Sequence, residues 1–202
     1  MYPNLIQTIE GLDLSSIPSQ RKEILKVLAA FIQKKKGEGA PILLNFICTH
    51  NSRRSHLSQV WAQALAAYFN VENLFCYSGG TEATAVFPMV IKTLINQGFS
   101  NSTLSQKTNP IYALGFGPNS PSIVAFSKKY DHPFNPEESF AAIMTCDTAD
   151  QVCPFIAGAE KRIALPFEDP KVSDGTPEQE ATYAARSLQI ACELKYVFSQ
   201  IT

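Results

Sequence analysis

Between Cys48 and Ser55 the chain reads Cys-Thr-His-Asn-Ser-Arg-Arg-Ser, which sets a thiol and a guanidinium six positions apart. Ile42 to Ile47, just before it, is a near-continuous apolar run, as expected of a parallel strand buried on both faces. From about Ser55 to Phe69, Leu57, Val60, Trp61, Ala64 and Leu65 fall on one side of a helix. A loop between a buried strand and a helix can turn successive backbone N–H groups inward as an anion nest, and the helix adds its positive end. Thr49, His50, Asn51, Ser52, Arg53 and Arg54 would form that nest. Both effects favour a thiolate at Cys48 and hence a nucleophile. Arg54 can grip two oxygens of a tetrahedral anion in a planar fork, and the Ser55 hydroxyl can hydrogen-bond the sulfur. The competing reading is a core cysteine at a strand end followed by a solvated helix start, and spacing alone leaves both open.

Other residues could join this chemistry. Asp169 precedes Pro170, which holds it out of a helix and on a loop, with Glu168 beside it as an alternative acid. Cys146 and Cys153-Pro154 bracket a short segment after an apolar run. Zinc ligand pairs are usually closer and histidines are lacking nearby, so no metal site is expected there. Cys76 and Cys192 fall on apolar faces and read as core, whereas His56 and His132 read as surface residues.

These residues need a scaffold. A second strand over Leu74 to Ser78 runs into Gly79-Gly80, and a helix from about Thr84 to Gln97 stops at Gly98. Ile111 to Phe116 and Ile123 to Ser127 flank a Gly-Pro-Asn-Ser-Pro turn and predict a β-hairpin. Phe140 to Thr145 is a strand that delivers Cys146, and Arg162 to Leu165 a short one before Asp169. Thr176 is expected to cap a last helix to about Phe198. Strands alternating with helices imply a parallel sheet covered on both sides, with ligands at the carboxyl ends of the strands. Residues 1–40 read as an N-terminal helical extension, with Ser19 capping a helix that Lys34 to Lys36 and Gly37 close as a solvated end. A catalytic domain over 41–202 follows, with the hairpin inserted at about 107–138.

With 202 residues the chain suits one sizeable core. Its 17 basic and 18 acidic residues give no field that would attract nucleic acid or an anionic membrane, so any anion site must be local. No apolar run approaches the roughly 18 residues of a membrane span, and no basic stretch leads into an apolar one at the start, so a cytoplasmic protein is expected. Five cysteines are neither a dense disulfide framework nor a zinc ribbon. In a reducing cytosol they are core or reactive thiols.

Cys48 to Ser55 resembles the Cys-x5-Arg-Ser loop of the low-molecular-weight protein tyrosine phosphatases. Its form Cys-Thr-x-Asn-Ser-x-Arg-Ser is similar to that of the thioredoxin-coupled arsenate reductases that share their fold. Tyr77-Ser78-Gly79-Gly80-Thr81-Glu82-Ala83 looks like the second-strand segment of those reductases. The likeness covers about residues 42–106 and 140–200.

The resemblance implies an α/β three-layer sandwich around a four-stranded parallel sheet, and a tetrahedral oxyanion as ligand: arsenate, phosphate or a phosphate monoester. It makes Cys48 the nucleophile, Arg54 and Ser55 its partners and Asp169 the general acid. Cys146 and Cys153 resemble the reductases' resolving pair at the same separation. Reduction must deposit two oxidising equivalents somewhere, and three thiols can relay them to an external dithiol, thioredoxin. Arsenate reduction is therefore the expected reaction, and phosphate monoester hydrolysis through a Cys48 phosphocysteine the alternative. No cofactor is required; a potassium site is possible, but where potassium-binding reductases carry a glutamate this chain has Gln59, which puts it in doubt.

Overall fold

The computed structural model describes residues 1–152 and 155–202. In chain order it contains α1 (Pro3–Glu10), α2 (Ser19–Gly37), β1 (Ile42–Cys48), α3 (Arg54–Tyr68), β2 (Leu74–Gly80) and α4 (Pro88–Asn96). Then come β3 (Ser100–Ser105), β4 (Ile111–Gly115), β5 (Ile123–Ala125), β6 (Phe140–Met144), α5 (Asp147–Val152), β7 (Ala159–Ala164) and α6 (Gln179–Ser199). The main sheet is four-stranded in the order β2-β1-β6-β7 with every pairing parallel. Both central strands are buried on both faces, which is why their sequences read as apolar runs, broken only by Asn45 in β1. Ile42, Leu44 and Phe46 of β1, with Ala141 and Ile143 of β6, enter a large core shared with α2, α3, α4 and α6. Ile47, Phe140, Ala142 and Met144 face a smaller core that contains Cys48, Cys146 and Ala149 of α5. Leu5, Ile9, Leu25 and Leu28 of the two N-terminal helices belong to the large core as well. Among the described residues no helix is long and apolar enough to cross a membrane.

The predicted hairpin is present as β4 and β5, but β3 pairs antiparallel with β4 to make a three-stranded sheet. Ser-Asn-Ser-Thr-Leu-Ser lacks the apolar alternation that marks a half-buried strand, so β3 is invisible in the sequence. The small sheet joins the main one through side chains of α3. Gln63 donates to Leu74 O at 3.1 Å and accepts from Cys76 N–H at 2.9 Å, mimicking a neighbouring strand along the outer edge of β2. Gln59 donates to Cys76 O at 3.1 Å and to Val124 O of β5 at 3.3 Å.

Several expectations need correction. The helix expected from Thr84 starts at Pro88, because Thr84 spends its N–H on Ser127 Oγ (2.8 Å) and Pro88 supplies a first-turn residue with no donor to satisfy. The cap of α2 is Pro18 rather than Ser19, and Lys35 is not a solvated end: it is buried and paired with Glu160. Thr176 turns its hydroxyl to Ser173 O, and α6 begins at Gln179. His56 is fully buried, not on the surface. Its Nε2 lies 3.0 Å from Asn51 O, which can only accept, so Nε2 carries the proton and Nδ1 accepts from Ser78 Oγ at 3.2 Å.

Two glycines let the polypeptide close around this end of the sheet. A Cβ on Gly79 would sit 2.4 Å from Tyr130 Cα, and one on Gly80 would sit 2.3 Å from Glu82 O and 2.7 Å from Asn51 N and Thr49 O. Residues 128–130 run beside Gly80 as a bridge, with Gly80 N–H donating to Lys128 O and Tyr130 N–H to Gly80 O, both at 2.9 Å.

Gly80→Ala is expected to cost on the order of 3 kcal/mol, roughly 6–12 °C in Tm at this chain length, readable by thermal denaturation. His56 gives a pH signature. Burial, with the Lys128 ammonium nearby, holds its imidazole at about 3 against an ordinary 6.5. Below about 6.5 the unfolded chain takes up this proton while the folded protein does not until about 3, so stability falls as pH drops through that window and is unaffected above it. His56→Gln should flatten that part of the Tm–pH profile; an unchanged acid limb would contradict the buried neutral ring.

Candidate functional site

Cys48 is the last residue of β1, and Arg54 the first of α3, so the loop between them spans the carboxyl end of the central strand and the amino end of a helix. Its carbonyls all point away from the loop centre and are taken by surrounding donors. Thr81 N–H reaches Cys48 O (3.1 Å), and Glu82 N–H (2.8 Å) and Thr81 Oγ1 (3.1 Å) reach Thr49 O. Ser127 Oγ (3.0 Å) and Thr84 Oγ1 (3.1 Å) donate to His50 O, His56 to Asn51 O, and Phe87 N–H to Ser52 O (3.0 Å). With the carbonyls outward, the amides turn inward, and the N–H groups of His50 to Ser55 have no hydrogen-bond acceptor among the described residues. That is the preorganised set of donors an anion nest requires.

Asn51 fixes the turn. Its backbone sits in the left-handed region at φ 43°, where asparagine is among the residues best tolerated. Its Oδ1 accepts from Lys128 N–H at 2.9 Å, and its Nδ2 donates to Ser55 Oγ at 2.9 Å. Because Ser55 Oγ accepts there, its own hydrogen is free for Cys48 Sγ, 3.1 Å away. The sequence-predicted thiol and hydroxyl are thus brought into contact, with Cys48 only 4% exposed.

The two arginines diverge. Arg54 donates through Nη2 to Asp169 Oδ2 at 2.6 Å and through Nη1 to Phe167 O at 2.9 Å, so the expected anion fork and the expected acid are neighbours. Asp169 Oδ1 also accepts from Lys171 N–H. Arg21 of α2 braces this segment by donating to Pro166 O at 2.9 Å. The Arg53 side chain, expected to bind substrate, does not enter the loop. It pairs with Asp174 at 2.6 Å, donates to Tyr183 OH, and lies 4.1 Å above the centre of the Phe87 ring. Burial raises the Tyr183 phenol, which stays protonated and donates to Asp174 Oδ1 at 2.6 Å. Only the backbone of Arg53 remains available to the nest. His50 is likewise peripheral: its ring is half exposed, 3.8 Å from Glu82. Glu168 pairs with Arg186, which leaves Asp169 as the acid beside Arg54.

Cys146 follows β6, next to β1, and is 1% exposed. Its Sγ is 3.5 Å from Thr49 Oγ1 and accepts from Ala149 N–H at 3.4 Å. Cys48 and Cys146 share the smaller core. Cys153 lies outside the described residues. Cys76 and Cys192 are buried thiols away from the loop, and burial pushes both up.

Gln59 donates its amide hydrogens to the carbonyls of Cys76 and Val124, and its Oε1 is buried without a hydrogen-bond partner among the described residues. Among the described residues no group of three or more His, Cys, Asp or Glu side chains could hold a metal ion.

Ser127, Lys128, Thr84 and His56 support the loop without having been legible as site residues. The one sequence signal was Gly79-Gly80, which announces that something packs tightly against the end of β2.

No family model matches the chain. A curated protein named arsenate reductase from Bacillus licheniformis is 28% identical over 142 residues, covering 70% of this chain and 83% of that protein. Another of that name from Halalkalibacterium halodurans is 23% identical over 137 residues, covering 68% and 80%. Among solved structures, a low-molecular-weight phosphotyrosine phosphatase from Vibrio cholerae O395 has a TM-score of 0.54 at 12% identity, covering 78% of this chain and 95% of that one, a likeness of fold. With its parallel four-stranded sheet and its Cys48 loop at the end of β1, the chain has the fold of the low-molecular-weight protein tyrosine phosphatases and is similar in sequence to proteins named arsenate reductase.

Proposed function

We propose that the protein reduces arsenate, with Cys48 as nucleophile, Cys146 and Cys153 as resolving thiols, and thioredoxin as the reductant that resets them. The chain is an enzyme, either an arsenate reductase or a cysteine-based phosphatase. Both chemistries start with a tetrahedral oxyanion in the loop formed by Thr49 to Arg54. The observation that favours reduction is the position of Cys146, whose sulfur lies 3.5 Å from the hydroxyl of the residue following the nucleophile. Hydrolysis of a phosphate monoester has no use for a second thiol there; a two-electron reduction needs one.

The inward amides bind the anion oxygens, and Arg54 turns its fork from Asp169 to the anion. Asp169 is then left to carry a proton and deliver it to the departing oxygen. Cys48 Sγ attacks arsenic, an As–O bond breaks, water leaves, and a Cys48–arsenate thioester remains. Cys146 thiolate attacks Cys48 Sγ, and the S–As electron pair passes to arsenic. Arsenic falls from +5 to +3, arsenite leaves, and the two sulfurs become a disulfide. Cys153 thiolate then attacks Cys146 Sγ and releases Cys48 as thiolate, leaving the oxidising equivalents in a 146–153 disulfide that an external dithiol reduces. A reducing cytoplasm would keep the thiols available between turnovers.

The thiols that only one reaction needs provide the test. Cys48→Ser should abolish both arsenite formation and aryl phosphate hydrolysis, since a hydroxyl is far less nucleophilic than a thiolate. Cys146→Ser and Cys153→Ser should lose thioredoxin-linked arsenite formation yet keep substantial hydrolysis. Asp169→Asn should slow hydrolysis by about 10²- to 10⁴-fold while phosphate still binds. Should the wild type make no arsenite with any thiol reductant, and Cys146→Ser leave hydrolysis intact, the phosphatase reading replaces this one.

A further inference from the structure

We propose that the ammonium of Lys128 is a buried positive charge that backs the Cys48–Ser55 loop and raises its affinity for anions, making Lys128 a positioning residue of the site. The inference rests on reading that loop as the oxyanion site.

Lys128 belongs to the segment that leaves β5 and passes beside Gly80, in the insertion whose sequence gave no hint of a role. It is only 1% exposed. Its backbone is engaged on both sides, with the carbonyl accepting from Gly80 N–H and the N–H donating to Asn51 Oδ1. The same Asn51 side chain holds Ser55, which holds Cys48. The Lys128 side chain has much poorer company. Nζ donates to Phe126 O at 3.3 Å and lies 4.5 Å from the centre of the Phe126 ring and 5.3 Å from that of Phe134. No carboxylate pairs with it among the described residues. The titratable groups around it are His56 from α3, His132 stacked edge-on to Phe126, and Tyr77 of β2 against Phe134. None of them is an acid.

A buried ammonium with no counter-ion opposes folding, so a methionine of similar length would suit the site better if packing were the only demand. Positions that break such rules are where function is expected. Lys128 sits where the loop is built: its amide holds Asn51 Oδ1 at 2.9 Å, and the buried His56 ring, which burial and then the Lys128 charge keep neutral, touches Asn51 O. An anion in the nest would be the counter-ion that the fold leaves out. Burial draws the ammonium down to about 7, so the charged form is favoured on the acid side of neutrality.

The test compares wild type with Lys128→Met and Lys128→Gln at pH 6.5, using inorganic phosphate as the probe. Both variants keep the backbone clasp on Asn51. Titration calorimetry should show phosphate binding weakened about tenfold, equivalent to 1.4 kcal/mol, and iodoacetamide should alkylate Cys48 more slowly. KM for the oxyanion should rise with little change in kcat, because a remote charge acts on bound substrate and transition state alike. Tm of Lys128→Met should hold or rise, a direction opposite to that of lost structural support. Unchanged phosphate affinity in a folded variant overturns the proposal. So does unfolding of both variants, which would make the lysine a requirement of the fold. If the wild type binds no phosphate, or Arg54→Ala binds it equally well, the reading of the loop itself fails and takes this inference with it.

Discussion

The peptide groups from Cys48 to Ser52 can point only one of two ways, and the rest of the site depends on their carbonyls pointing out. Five successive oxygens are held by donors from four parts of the chain: the turn after β2, the segment after β5, the first turn of α3 and the entry to α4. Since each peptide's N–H opposes its carbonyl, this outer ring of bonds turns the amides to the other side of the loop without a ligand having to organise them. The strain at Asn51, the one left-handed residue of the loop, is offset by bonds from both ends of its side-chain amide.

That arrangement explains why the insertion matters. Residues between the main-sheet strands β2 and β6 could have formed an accessory flap. Instead, the chain leaving β5 lies along Gly80 and delivers Ser127 to His50 O and the Lys128 amide to Asn51. The small sheet is anchored in turn by Gln59 of α3, which bridges Cys76 O and Val124 O. On the opposite side, Arg53 locks the helix start to α6 through Asp174 and Tyr183, and Arg21 steadies the approach to Asp169. The loop is therefore held from outside by elements far apart in sequence.

The parallel sheet was legible because β1 and β6 are buried on both faces and their sequences have no other way to be stable in water. Cys48, Arg54 and Ser55 stood out as candidates because reactive types occur in a strand–loop–helix order, and Asp169 because the family resemblance assigns it; the fold sets Cys48 against Ser55 and Arg54 against Asp169. What escaped is what depends on tertiary contacts alone. His56 follows Ser55 in a helix start and looks solvated, yet the space under Asn51 O is filled by its ring. Arg53 looks like a second anion ligand, but Asp174 and Tyr183, more than 100 residues later, claim it. The polar residues of β3 have no apolar face to announce a strand, and Lys128 reads as one half of an ordinary Lys-Lys pair.

All four described cysteines are buried; Cys76 and Cys192 pack in the large core, whereas the smaller core brings Cys146 beside the loop of Cys48. The central claim is that oxidising equivalents pass from a bound oxyanion to these sulfurs. Its most direct test is a single turnover with arsenate and no added reductant, followed by peptide mapping. One arsenite should be released per chain, with a disulfide between Cys146 and Cys153 and Cys48 free, and Cys153→Ser should trap a Cys48–Cys146 disulfide. A chain that keeps every thiol reduced and releases no arsenite, while hydrolysing an aryl phosphate through Cys48, would contradict it.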